Sequence, residues 1–392
     1  MSFQEVIDKM KRIQVLLLEY FEDESDNKEI YENFQKIIID QKIIEDRYLF
    51  KSLLHLINNI GNNHQRVGNF IIKIERILGY FKDNIKIFFS NSEIFKLFES
   101  NKRILLFLIE EKIIVIDEYF VSQLSGNKYT SMKYPEYFAP EIKPFVTKEF
   151  VKKCCKNNPS LKEDEFYKDI TKEVTDDFYE KRKIGENDDY LCQIIRLNKI
   201  DEFIVFANKT NLHLDACIKQ SIFETNYFLV FGYDVKLIEY ASFFGSIGII
   251  KYIQMKEYEL TPNMWSFSIH SRNAELIKYL EDNHVSPPSG NYESILMEAI
   301  ECHHNEISTY FIENVINEED LLLSTENKFS DNYYFYSVEY QNYCFFPENP
   351  EYKNMLFYLC MFDYYTLVKL YLQQKNVDFD INAKSIMIYY FK

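Results

Sequence analysis

Ile238-Glu-Tyr-Ala-Ser-Phe-Phe-Gly-Ser-Ile-Gly-Ile-Ile-Lys-Tyr-Ile253 and Trp265-Ser-Phe-Ser-Ile-His-Ser-Arg-Asn-Ala-Glu-Leu-Ile-Lys-Tyr-Leu280 align without a gap and end alike in apolar-apolar-Lys-Tyr-apolar. Leu296 to Phe311 and Leu356 to Tyr371 keep the same register, and Tyr190 to Val205 fits it more loosely. Self-similarity of this kind marks a repeat architecture. Each segment reads as a short helix, a tight turn and a second helix.

Packing accounts for the spacing. A small residue, Ala241, Ser268 or Ala299, stands midway along the first helix, where close approach of the neighbouring helix leaves little room. About four residues later comes the turn, at Gly245 in the best unit, where glycine suits a positive φ. The second helix then offers a stripe such as Ile249, Ile250 and Ile253 to the core. Strand-like alternation is scarce, so the expected class is all-α, a solenoid of helix pairs preceded by an N-terminal helical region.

Anchors at Gln193, Ala241, Ser268, Ala299 and Leu359 lie about 48, 27, 31 and 60 residues apart, against roughly 33 in a regular array. Insertions are therefore expected near 214–235 and 317–353. The second contains the most aromatic stretch of the chain, Asp331 to Phe346. It reads either as a binding loop on a rigid scaffold or as a segment folded back over the last repeat.

At these residues the chain resembles an ankyrin-repeat protein, Ile238 to Ile253 matching Leu-His-x-Ala-Ala-x-x-Gly-His-x-Glu-Ile-Val-Lys-Leu-Leu. Leu237 to Asn314 resembles more closely the domain of unknown function that accompanies ankyrin repeats in large protist families. The Thr-Pro-Leu-His opening is missing except for a displaced Thr261-Pro262, and Arg272, His303 and Asp363 replace the turn glycine. The resemblance implies a non-catalytic scaffold that binds a protein partner without a cofactor. In such proteins the two residues before the turn glycine often face the concave surface. Carried over, these are Phe243 and Phe244, His270 and Ser271, Glu301 and Cys302, and Met361 and Phe362.

Upstream, residues 1–125 read as a helical region, with a hairpin formed by Glu93 to Glu99 and Arg103 to Glu110 about Ser100 and Asn101. Asn101 to Leu108 echoes Asn273 to Leu280. Residues 126–187 hold Pro135, Pro140, Pro144 and Pro159 and then a charge-dense stretch, which marks a connecting segment. The repeat region is placed at 188–392.

Composition narrows the function classes. A formal charge of −16 argues against a sequence-independent grip on nucleic acid or an anionic membrane. No apolar run reaches the eighteen or so residues of a membrane span, so membrane insertion is not expected. Seven cysteines without a CxxC fit free thiols in a reducing cytoplasm. Phe and Tyr number 34 and 31, which either codon bias or an interaction surface accounts for.

Catalytic constellations are scarce. Cys302-His303-His304 is the one cluster that points to zinc or a nucleophilic thiol, but zinc takes about four ligands and a thiol needs a positioned base. The repeat register accounts for His304 as a turn histidine. Cys154-Cys155 reads as a solvated helix face, and Lys181-Arg182-Lys183, among acidic Glu180, Glu186, Asp188 and Asp189, is too short for a nuclear address. No catalytic, cofactor or metal residue is nominated. A thiol- or metal-dependent enzyme built on Cys302, His303 and His304, and a self-associating structural protein, stand as the alternatives. The expected circular dichroism spectrum is dominated by helix, and a strand-rich spectrum contradicts the fold class.

Overall fold

The computed structural model describes residues 2–25, 27–230, 234–316, 328–347 and 355–373. Part of the second expected insertion (317–327 and 348–353), part of the first (231–233) and everything after Gln373 lie outside them. The described residues are helical throughout, with no strand and one isolated antiparallel bridge, Cys217 to Lys236. None of their helices is long and apolar enough to cross a membrane.

The helices used below are α1 (Phe3–Glu22), α2 (Lys28–Asp40), α3 (Arg47–Asn63), α4 (Phe70–Tyr80), α5 (Asn91–Phe98), α6 (Lys102–Glu110), α7 (Tyr190–Arg196), α8 (Ile200–Thr210), α9 (Leu237–Phe243), α10 (Ile247–Met255), α11 (Met264–Ser271), α12 (Ala274–Asp282), α13 (Glu293–Glu301), α14 (Asn305–Tyr310), α15 (Lys328–Glu339), α16 (Met355–Met361) and α17 (Tyr365–Leu372). The chain divides into two compact units. Unit 1 is Met1–Asn59, Val67–Phe70 and Leu296–Lys392, and unit 2 is Ile60–Arg66 and Ile71–Ile295.

Five helix pairs share one turn. Asn198, Gly245, Arg272, His303 and Asp363 all adopt positive φ, between 48° and 64°. In four of them the next residue's N–H reaches back five positions: Lys199 to Ile194, Ser246 to Ala241, His304 to Ala299 and Tyr364 to Leu359, at 2.8 to 3.1 Å. A left-handed residue followed by this bond is the standard satisfaction of a helix's last carbonyls. The turn of α7–α8 sits one residue later than the sequence alignment places it, so Ile194 rather than Gln193 is the counterpart of Ala241. Asparagine tolerates the left-handed region and does not announce it as glycine does.

In unit 2 these pairs pack in series: α7 against α9, α9 against α11, and α8 against α10. The small anchors Ala241 and Ser268 are fully enclosed, and so are Ile249 and Ile250 of the α10 stripe. Consecutive turns are also tied to each other. Ser246 donates its hydroxyl to the Ile195 carbonyl, and Asn273 Nδ2 donates to the Gly245 carbonyl at 3.3 Å. Upstream, α5 and α6 form the expected hairpin. Asn101 caps α6 by accepting from the N–H groups of Arg103 and Ile104, and Asn273 caps α12 by accepting from Leu276.

Residues 126–187 are packed into unit 2. Tyr134, Tyr137, Phe138 and Ile142 have no exposed surface. Arg182 is 2% exposed and makes a two-pronged pair with Glu141 at 2.7 Å for each prong. The Lys181-Arg182-Lys183 run is thus built around a buried, paired arginine. Cys154 likewise is enclosed, and burial pushes its thiol up to about 12, while Cys155 beside it is half-buried.

Unit 1 joins α1 and α2 to the chain's last helices. A capping box between Ser2 and Glu5 starts α1, whose buried stripe includes Phe3, Ile7, Ile13 and Leu17. Phe3 meets Tyr371 of α17 edge-on at 6.2 Å. The fully buried Gln14 donates to Asn342 Oδ1 at 2.8 Å and accepts from the Tyr343 N–H at 2.6 Å. The described part of the aromatic stretch packs on the last helix pair: Phe335 meets Tyr358 and Phe362, Phe346 meets Tyr364, and the Tyr364 hydroxyl donates to the Val338 carbonyl.

A substitution at Gly245 tests the shared turn. Its φ is +64°, and an added Cβ would lie 2.9 Å from Asn273 Nδ2. Gly245→Ala is expected to lower stability by roughly 1–2 kcal/mol, whereas Arg272→Gly, at φ 50°, is expected to raise it by up to about 1 kcal/mol. Urea denaturation of the two variants checks both signs.

Candidate functional site

The pre-turn residues of α9 and α11 come together in unit 2 as one aromatic surface. The Phe243 ring stacks on His270 at 5.1 Å and meets Phe244 at 5.0 Å. The Arg196 guanidinium lies over Phe244 at 6.0 Å. Phe243 and Phe244 remain half-exposed, but His270 and Ser271 are only 2% and 3% exposed.

What covers His270 and Ser271 is the protein's own chain. Phe228 lies against His270 at 4.0 Å, Phe267 at 4.9 Å and Phe243 at 6.0 Å. The Asn63 carbonyl sits 3.1 Å from His270 Nδ1, and Gln65 Nε2 donates to the Ser271 carbonyl at 2.6 Å. Neither His270 nor Ser271 therefore presents a surface to a partner in this arrangement. Phe243 and Phe244 do.

The covering segment is held from several sides. Asn101 Nδ2 donates to the Gly61 carbonyl at 3.3 Å and to Asn62 Oδ1 at 3.0 Å, and Asn62 Nδ2 donates to the Ser100 hydroxyl at 2.7 Å. Arg66 Nη1 donates to the Thr225 hydroxyl at 2.9 Å. Gly61 has no room for a side chain, since a Cβ would meet Ile104 and Ile74 at 3.1 and 3.2 Å. Sequence periodicity carries no signal of these contacts, because polar residues far apart in the chain make them.

In unit 1, Met361 and Phe362 are half-buried before the α16–α17 turn, with Phe362 against Phe335. Tyr48 stacks on Tyr365 at 4.0 Å, and Lys51 pairs with Asp363, the left-handed residue of that turn. Glu301 is half-buried and Cys302 has no exposed surface. Burial, with the nearby Glu298 and Glu301 carboxylates, pushes the Cys302 thiol well above its ordinary value, which withholds the thiolate a nucleophile needs. His303 and His304 are buried as the two residues that close the α13 turn.

Beside Cys302 lies an acidic group formed by Glu298, Glu301 and Glu339. Burial pushes the Glu301 carboxyl well up, with Glu298 and Glu339 adding and the Tyr340 hydroxyl opposing. Glu339 is pushed up to about 7 by burial.

No known protein family, curated protein or solved structure matches this chain.

The Glu339 environment sets a pH dependence. A carboxyl whose pKa is higher folded, about 7, than unfolded, 4.5, favours the folded state below the lower value and loses that contribution as pH rises through the upper one. Stability is expected to decline between those two values. Glu339→Gln is expected to flatten part of the decline and raise stability above it, by on the order of 1 kcal/mol. Chemical denaturation of both proteins across that pH range measures it, and identical slopes contradict the assignment.

Proposed function

We propose that the protein is an ankyrin-like interaction scaffold, non-catalytic and cytoplasmic, which binds a protein partner through the pre-turn surface of its helix pairs. One observation carries the reading. Five helix pairs place a left-handed residue at the same register, at Asn198, Gly245, Arg272, His303 and Asp363, although only one of the five is glycine. A turn maintained against the cost of left-handed backbone at four side-chain-bearing residues argues that the pair geometry itself is what the chain keeps. Repeated pairs of this kind present a continuous surface suited to binding.

The contact surface in unit 2 is Phe243 and Phe244, half-exposed and braced by Phe228, His270 and Arg196. Aromatic residues held rigid from behind lose little entropy on binding and dominate interface energetics. Met361 and Phe362 hold the equivalent positions in unit 1. The pairing of solvent-accessible aromatics with a net charge of −16 favours a partner with a basic rim about an apolar centre.

Affinity capture from the native cytosol tests this with the wild type and a folded Phe243→Ala/Phe244→Ala variant. A partner bound by the wild type is expected to be recovered at least about tenfold less well by the variant. Equal recovery removes the surface from the interface, and turnover of a substrate by the purified protein overturns the non-catalytic reading.

A further inference from the structure

Arg66 stands out among the charged groups of unit 2. It lies just beyond the end of α3, in the irregular stretch before the exposed Gly68, and its one direct polar contact among the described residues is that of Nη1 with the Thr225 hydroxyl, at 2.9 Å. Nε and Nη2 have no exposed surface and no hydrogen-bond acceptor among the described residues. Those two nitrogens form the side-on edge of the guanidinium, whose parallel N–H groups match two oxygens on one centre.

A second guanidinium stands close by. Gly185, at φ +73°, lies between the Thr225 side chain, which Arg66 contacts, and that of Arg103: a Cβ there would lie 3.0 Å from Thr225 Oγ1 and 3.6 Å from Arg103 Cδ. Arg103 is 6% exposed, donates through Nε to the Lys183 carbonyl at 3.0 Å and pairs through Nη2 with Glu75 at 2.5 Å. Its Nη1, also buried, lacks an acceptor among the described residues. Burial lowers the Arg66 pKa, the Glu224 and Glu186 carboxylates oppose it, and the Arg103 charge adds to it.

The neighbouring carboxylates are committed elsewhere. Glu224 faces Arg66, but its oxygens accept from the main-chain N–H groups of Asn187, Thr225 and Asn226 at 2.9 to 3.1 Å. Glu186 pairs with Arg196 at 2.8 Å. Buried ionised donors without acceptors are costly, and a buried cation is ordinarily paired. Glu224 and Glu186 favour the Arg66 charge from nearby without supplying an acceptor to Nε or Nη2.

We propose that the Nε/Nη2 edge of Arg66, assisted by Arg103 Nη1, is a binding site for a small oxyanion that carries two oxygens on one atom. Enclosure of these nitrogens selects a free ion of inorganic size over the side chain of another protein. The site is independent of the scaffold reading and uses none of the pre-turn residues.

The test is calorimetric and thermal titration of the full chain with sodium phosphate, sulfate and acetate at constant ionic strength, with chloride as the control. One ion per chain is expected to bind saturably and raise the unfolding temperature beyond chloride. Phosphate, sulfate and acetate in separate arms tell a tetrahedral oxyanion from a carboxylate. Arg66→Lys, which keeps the charge and loses the fork, is expected to weaken binding by about tenfold or more. Should that variant fail to fold, the side-chain Nε–H resonance of Arg66 in the wild type supplies the readout, moving with the oxyanion and not with chloride. No oxyanion effect beyond chloride, equal affinity in Arg66→Lys, or an unmoved resonance overturns the site and leaves a hydrated niche.

Discussion

One main-chain device recurs in the helix pairs: a left-handed residue, followed in four of the five by an N–H that bonds the carbonyl five positions back. The bond closes the first helix and reverses the chain within one residue, so that the second helix lies against the first with no loop between them. Because the turn is so short, the last residues of the first helix and the first of the second are locked in relative position. The small anchors Ala241, Ser268 and Ala299 then fall where the next helix must approach, and the stripe Ile249, Ile250 and Ile253 faces inward. Remove the reversal and neither packing set has a partner.

How much of this can be read along the chain depends on the range of the interaction. The helix pairs, the small anchors and the α5–α6 hairpin are local, and their periodicity shows them. Gly245 advertises its turn, and the aligned Arg272, His303 and Asp363 inherit the assignment. Asn198 does not, which is why the first pair is aligned one residue early. The fate of the pre-turn residues was out of reach for a different reason. His270 and Ser271 are covered by Asn63, Gln65 and Phe228, residues that carry no apolar rhythm and lie far away in sequence. Arg182 illustrates the same limit: composition makes it one of three basic residues in an acidic stretch, and only the fold reveals its carboxylate partner, Glu141.

Unit 2 buries polar residues on an unusual scale around Gly61 to Arg66, and the arrangement explains itself by satisfaction. Asn62, Asn101, Asn226 and Gln65 are each matched to a carbonyl or hydroxyl, so that the end of α3 and the irregular residues after it are held in place. Such networks specify one arrangement over its alternatives because a single mismatch leaves a buried group unsatisfied. Asn101 shows the economy of the design, since its side chain caps α6 through Oδ1 while its amide holds Gly61 and Asn62.

The tie between Gln14 and Asn342, 328 residues apart, bears on how the protein is made. Ribosomes emit about 5–20 residues per second, so α1 waits on the order of tens of seconds before its buried partners emerge. Through that interval α1 can pair with α2, which follows it directly, but the part of its stripe that meets α17 stays uncovered, whereas the segments of unit 2 are all synthesised in between. The middle of the chain is thus free to condense before the pairings of Phe3 with Tyr371 and of Gln14 with Asn342 can form.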